Sequence, residues 1–204
     1  MIKNIKVEPK GQNIHSNKLI EGLLQSLASI EKDFVYIEQK HYYRKKSSWL
    51  ERFFHFEFYH QLRLKFSDNL KNYVIQAEVE KASHNSGIGN LQPDLIFHIP
   101  GDIDRSSQLI HIEVKPAKSN NYKHLEEIIN DLDKLSKFKA KLHYDISVLV
   151  LFGPTNELSN TIHFIEGDDS NDEELNNRRD RVIRDIRSKN QEILLILLDT
   201  SILI

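Results

Sequence analysis

The chain contains no cysteine. Disulfides, thiolate zinc sites and cysteine-held iron–sulfur clusters are therefore excluded. It also has no apolar run of membrane-spanning length, so no transmembrane helix is predicted. Met1 to Lys10 alternates charged and apolar residues and lacks the apolar stretch of a signal peptide. A soluble, cytoplasmic protein with no membrane partner is the expectation. An excess of one charge is missing too: 28 Lys and Arg stand against 30 Asp and Glu, a formal net charge of −2. No global field favours nucleic acid, so any surface that binds it has to be built from local patches. Internal repeats, low-complexity tracts and a clear interdomain linker are also absent. The hydrophobic fraction of 39% over 204 residues is enough for a core. It suits one domain with an N-terminal extension.

The informative stretch runs from Gln92 to Lys118. Two short apolar runs flank a Gly101-Asp102 turn and the polar segment from Asp104 to Ser107, the pattern of two adjacent strands joined by a loop. Asp94 opens the first strand, and Glu113-Val114-Lys115-Pro116 ends the second. Strand side chains alternate, so Glu113 and Lys115 share one face while Ile112 and Val114 share the other. Two carboxylates brought close together repel unless a cation sits between them. A hard divalent ion takes carboxylate and carbonyl oxygens and keeps several waters, and the Val114 carbonyl is a further donor. Metal-bound water of lowered pKa can attack a phosphodiester. Lys115 can orient that water or stabilise the charge that develops on the phosphate. The histidines His98 and His111 fall by parity on the faces of Asp94 and Glu113, which leaves a histidine–carboxylate zinc site as a less favoured reading. The bland reading of the trio is an ion pair between adjacent strands.

Pro93-Asp94, a spacer of about 18 residues and Glu113-Val114-Lys115 resemble the PD-(D/E)XK signature of the restriction-endonuclease-like nuclease superfamily. The resemblance implies an α/β fold whose αβββαβ core forms a central mixed sheet flanked by helices. That order reads from about Ser47 to Phe152, with 1–46 as an extension packed on the core and 47–204 as the nuclease-like domain. It implies Mg²⁺-dependent hydrolysis of DNA phosphodiester bonds, with Mn²⁺ as a substitute ion. Asp94, Glu113 and the Val114 carbonyl would hold the metal, and Lys115 would serve catalysis. A glutamate on the first core helix often joins the metal site in this superfamily, and Glu57 matches it. Small bacterial members suggest a setting in defence or DNA processing, and many relatives act as homodimers or draw specificity from a partner protein. The missing cysteines exclude the cluster-bearing branch. The missing Gln-x₃-Tyr after the Glu-x-Lys strand argues against the recombination-type exonuclease branch. The alternative is a catalytically inactive module of the same fold that binds nucleic acid or a partner protein.

The rest of the chain supplies the frame. Ile2 to Val7 is predicted as a short strand, and Leu19, Leu23, Leu24, Leu27 and Ile30 mark a helix. Phe34 to Ile37 reads as a strand and His41 to Lys46 as a basic aromatic loop. Ser48-x-x-Glu51 reads as a capping box. The helix behind it runs to about Phe66, with Leu50, Phe53, Phe54, Glu57, Gln61 and Leu64 on its inner face. Glu57 is anomalous there, because burying an unpaired carboxylate is costly. It is exposed on a rotated helix, or it points into a polar site. Tyr73 to Lys81 reads as a strand that carries Glu78, followed by a polar loop from Ser83 that includes His84. Asn120 or Asn121 caps a helix with a stripe from Leu125 to Leu142 and an outer, solvated face that carries Lys134, Lys137, Lys139 and Lys141. Asp145 to Phe152 is a buried strand, Thr161 to Ile165 a short one, and Glu192 to Thr200 the last. Between them Asp172 or a neighbour caps a helix rich in arginine that runs to about Lys189, with pairing of the Arg178/Asp185 type on its solvated face.

Overall fold

The computed structural model describes residues 14–31, 36–41, 44–49, 51–67, 73–77, 91–99, 107–118, 121–168, 170–189 and 191–202. Helix α1 (Ile14–Ala28) is followed by a hairpin of β1 (Tyr36–His41) and β2 (Arg44–Trp49), then by α2 (Glu51–Lys65). Next come β3 (Val74–Ala77), β4 (Leu95–His98), β5 (Gln108–Pro116), α3 (Tyr122–Leu142) and β6 (Ile146–Gly153). The chain continues through α4 (Thr155–Glu166), α5 (Glu173–Ser188) and β7 (Ile193–Asp199) to a 3₁₀ turn at Thr200–Ile202. The predicted strand at Ile2 to Val7, Glu78, Lys81, His84 and most of the loop before Leu91 lie outside the described residues.

The fold is α/β. A five-stranded mixed sheet, ordered β3-β4-β5-β6-β7, is flanked by helices. Strands β3, β4 and β5 form an antiparallel meander, and β5, β6 and β7 run parallel. All residues of β6 are buried, as expected for a β-branched apolar strand in the middle of a sheet covered on both sides. Ile110, Ile112, Val114, Val148, Val150 and Phe152 face α1 and α2 in one hydrophobic cluster. Leu149, Leu151 and Leu197 face α3, α4 and α5 in another. Helix α1 is part of the first cluster, and a Cβ at Gly22 would stand 2.4 Å from the Phe66 ring, so the close approach of α1 there needs glycine.

Several local expectations are corrected. The basic loop and the capping box give way to the hairpin: Arg44 to Lys46 belong to β2, and Ser48 pairs with Ile37 instead of capping a helix. Helix α2 is rotated from the predicted stripe. Phe54, His55, Phe58 and Leu62 are buried, while Phe53 and Leu64 are exposed. Alternating aromatics let two helical faces compete, and the sheet selects the one whose Phe54 stacks on Phe152 at 4.0 Å between ring centroids. Thr161 to Ile165 is the end of α4, not a strand. Its buried Leu158, Thr161 and Phe164 recur at helical spacing. The predicted helix caps Asn121 and Asp172 both hold, each accepting an N–H with its side chain.

Candidate active site

Asp94 stands just before β4. The register Leu95↔Ile112, continued by one residue, sets it opposite Glu113. Asp94 Oδ2 accepts the Val114 N–H at 2.7 Å. In a strand the N–H and C=O of one residue point to the same side, so the Val114 carbonyl also faces the β4 edge. His55 of α2 donates from Nε2 to the Asp94 carbonyl at 3.0 Å. His124 of α3 donates from Nε2 to the Pro116 carbonyl. Two histidines on opposite sides of the sheet thus fix the backbone at both ends of the site.

Alternation along β5 turns His111, Glu113 and Lys115 toward α3. Glu113 is only 1% exposed. Its Oε2 forms an ion pair with Lys134 of α3. Lys134 Nζ is also 3.4 Å from Asp131 Oδ1 and donates to the Gln92 carbonyl at 3.1 Å. Lys115 reaches across the strand end to Glu51, 2.6 Å away at the start of α2, and lies 3.9 Å from Asp131 Oδ2. Four carboxylates (Glu51, Asp94, Glu113 and Asp131) therefore surround two ammoniums. Among the described residues, Glu113 Oε1 and Asp131 Oδ2 are buried without a hydrogen-bond partner.

The electrostatics follow from this surplus of acid. Burial, then the charges of Asp94 and Asp131, push the Glu113 pKa well above the usual carboxylate range, against the pull of Lys134. Burial raises Asp131 to about 6 in spite of Lys134 and Lys115. Burial opposes the charge on Lys115, but the Glu51 hydrogen bond and the charges of Asp131, Glu51 and Asp94 outweigh it and raise its pKa. Lys134 is likewise raised, with Glu113 and Asp131 overcoming burial. Both lysines are charged at neutral pH, and the buried acids lack enough positive charge for full compensation.

Such donors fit a hard divalent ion in kind: buried carboxylate oxygens without hydrogen-bond partners, and a carbonyl beside them. Among the described residues no three acidic or histidine side chains converge as a ready-made metal group. The Lys134 ammonium lies between Glu113 and Asp131.

Of the residues singled out from sequence, Asp94, Glu113, Val114 and Lys115 come together at the carboxyl end of β5. Glu57 does not join their described contacts. It is half-buried and accepts from Gln61 Nε2 at 2.6 Å. The carboxylate that α2 offers to Lys115 is Glu51. Sequence reasoning also missed Asp131, although a signal was present: Asp131 lies three residues after Ile128 and four before Leu135, inside the apolar stripe of α3. Lys134 and Lys139 leave the solvated face assigned to them, and Lys139 donates to the carbonyls of Asp145 and Glu192. The zinc reading loses its geometry, since His98 bonds Gln76 while His111 bonds the Leu135 carbonyl inside the core. Arg178 pairs with Glu126 and Asn130 of α3, and Asp185 pairs with Lys189. Comparison of the chain with protein-family models, curated proteins and solved structures found no match.

Proposed function

We propose that the chain is a metal-dependent nuclease of the PD-(D/E)XK type that hydrolyses DNA phosphodiester bonds. The observation that carries this reading is the convergence of Asp94, Glu113 and Lys115 at one strand end, with buried carboxylate oxygens left unsatisfied. The succession of helix, antiparallel meander, helix and parallel strand from α2 to β6 supports a restriction-endonuclease-like core. Asp94, Glu113 and the Val114 carbonyl would hold Mg²⁺ or Mn²⁺. The ion would supply a water of lowered pKa at the scissile phosphate. Lys115, kept protonated by Glu51 and Asp131, donates hydrogen bonds to the phosphate oxygens as negative charge builds there. Glu51 holds the Lys115 side chain in place across the strand end. His55 and His124 fix the strands that carry the carboxylates, which limits misplacement of the reacting groups. The partner under this reading is DNA.

The second reading, a binding module without turnover, is favoured by the ion pair between Lys134 and Glu113. Cleavage of plasmid, linear duplex and single-stranded DNA with Mg²⁺, Mn²⁺ or EDTA separates the two. The nuclease reading expects metal-dependent cutting that falls about 100-fold or more in Lys115→Ala, the scale for loss of a transition-state donor. It also expects Asp94→Ala to abolish cutting while nucleic-acid affinity is kept. Failure of the metal-replete wild type to cut any of these substrates leaves the binding module as the reading.

A further inference from the structure

We propose that Lys134 is a built-in competitor for the divalent cation, and that Asp131 is a ligand contributed by α3. A metal ion binds Glu113 and Asp131 only as the Lys134 ammonium leaves. The inference rests on the reading of this cluster as a cation site, and it adds what controls occupancy there.

Three observations carry it. Lys134 Nζ touches both buried carboxylates, Glu113 through an ion pair and Asp131 at 3.4 Å. It therefore holds the place that a shared cation would take. One ammonium does not saturate the two carboxylates, because among the described residues Glu113 Oε1 and Asp131 Oδ2 stay buried without a hydrogen-bond partner, the latter with only the Lys115 charge at 3.9 Å. Finally, the two lysines differ in their anchors. Lys115 is tied most closely to Glu51 of α2, at 2.6 Å, and stands farther from Asp131, at 3.9 Å. Lys134 bonds the pair itself and the Gln92 carbonyl, and with an unbranched stem and a side chain 16% exposed its head can withdraw toward water by a change of rotamer. A hard divalent ion brings twice the charge and accepts more oxygens than an ammonium donates to. Exchange of one for the other relieves the acid surplus that Lys134 alone leaves.

The test is direct Mn²⁺ binding to the full chain at neutral pH, followed by titration calorimetry and by electron paramagnetic resonance of free Mn²⁺, with no substrate present. Lys134→Met keeps the stem and removes the charge. It is expected to bind Mn²⁺ about tenfold or more tightly than wild type, the range over which a neighbouring charge acts. Lys134→Arg, which keeps the charge, is expected to stay at or below wild-type affinity. Asp131→Asn is expected to bind more weakly than wild type. Thermal unfolding with and without Mn²⁺ gives an independent readout, with a larger metal-induced rise in Tm for Lys134→Met. Lys134→Gln takes its place if the methionine variant does not fold. Equal or weaker Mn²⁺ binding by the uncharged variant overturns the competitor role while the metal-site reading survives. Unchanged binding by Asp131→Asn overturns its role as a ligand. An absence of Mn²⁺ binding in wild type and every variant overturns the competitor and the metal site together.

Discussion

His111 lies fully buried on the face of β5 that also carries Glu113 and Lys115, beside Phe138 and Tyr144. Burial lowers its pKa to about 3, helped by the charges of Lys139 and Lys134 and opposed by backbone contacts to Leu135 and Ile146. A folded-state pKa below the unfolded value means that the unfolded chain takes up the proton first. The stabilisation from a neutral His111 is complete above about pH 6.5 and is lost as pH falls toward 3. Asp131 acts in the opposite direction over about pH 4 to 6, since its folded pKa is raised, so a single pH profile mixes the two. The difference between wild type and His111→Phe isolates the histidine. Between pH 7 and 5, wild type is expected to lose about 2 kcal/mol relative to that variant in urea unfolding. A difference that does not change with pH would show that the ring is not held neutral. At this scale the sequence was legible where alternation alone decides direction, as for Glu113 and Lys115. It was illegible for Asp131, whose place in the stripe of α3 marks burial but not the carboxylates it would meet.

The starts of α3 and α5 were readable among the elements, because a cap is a contact within three or four residues of chain. Asp172 Oδ1 accepts the Leu175 N–H at 3.0 Å, whereas Asn121 Oδ1 accepts the His124 N–H at 3.4 Å. Asp172 also puts a carboxylate at the positive end of α5. Asp172→Ala is therefore expected to cost about 1 kcal/mol or more in urea unfolding, and Asn121→Ala less than that. The reverse order would mean that local cap geometry does not set the ranking. The elements that were misread share a cause. Thr161 to Ile165 has β-branched residues that favour a strand in isolation, but Leu158 and Phe164 bury only as one face of a helix. Ser48 and Glu51 have the spacing of a capping box, yet the pairing of β2 with β1 claims Ser48 before the helix begins.

Across the whole molecule, the sheet separates two large apolar clusters, with a smaller one of Ile96, Phe138 and Tyr144, and the candidate site lies where its strand ends meet α2 and α3. Phe152 is completely buried and stacks on Phe54 across the layer that also positions Glu51. Phe152→Ala leaves a cavity between α2 and the sheet and is expected to lower stability by about 3–5 kcal/mol in urea unfolding. A loss under about 1 kcal/mol would mean that the layer collapses to fill the space. Among the described residues no helix is long and apolar enough to cross a membrane.

The sequence by itself determined the alternation of β5, the buried character of β6, the caps of α3 and α5, and the spacing that sets Asp94 beside Glu113. Each depends on a local period or on pairing between neighbouring strands. Only the tertiary structure decided that α2 presents Glu51 to Lys115 and leaves Glu57 with Gln61. The same holds for α3, which turns Asp131 and Lys134 inward, and for the histidines that pin both strand ends. These contacts join residues far apart in the chain. Their geometry follows from how each helix rotates to bury its apolar face, and a local period does not settle that rotation where two faces compete.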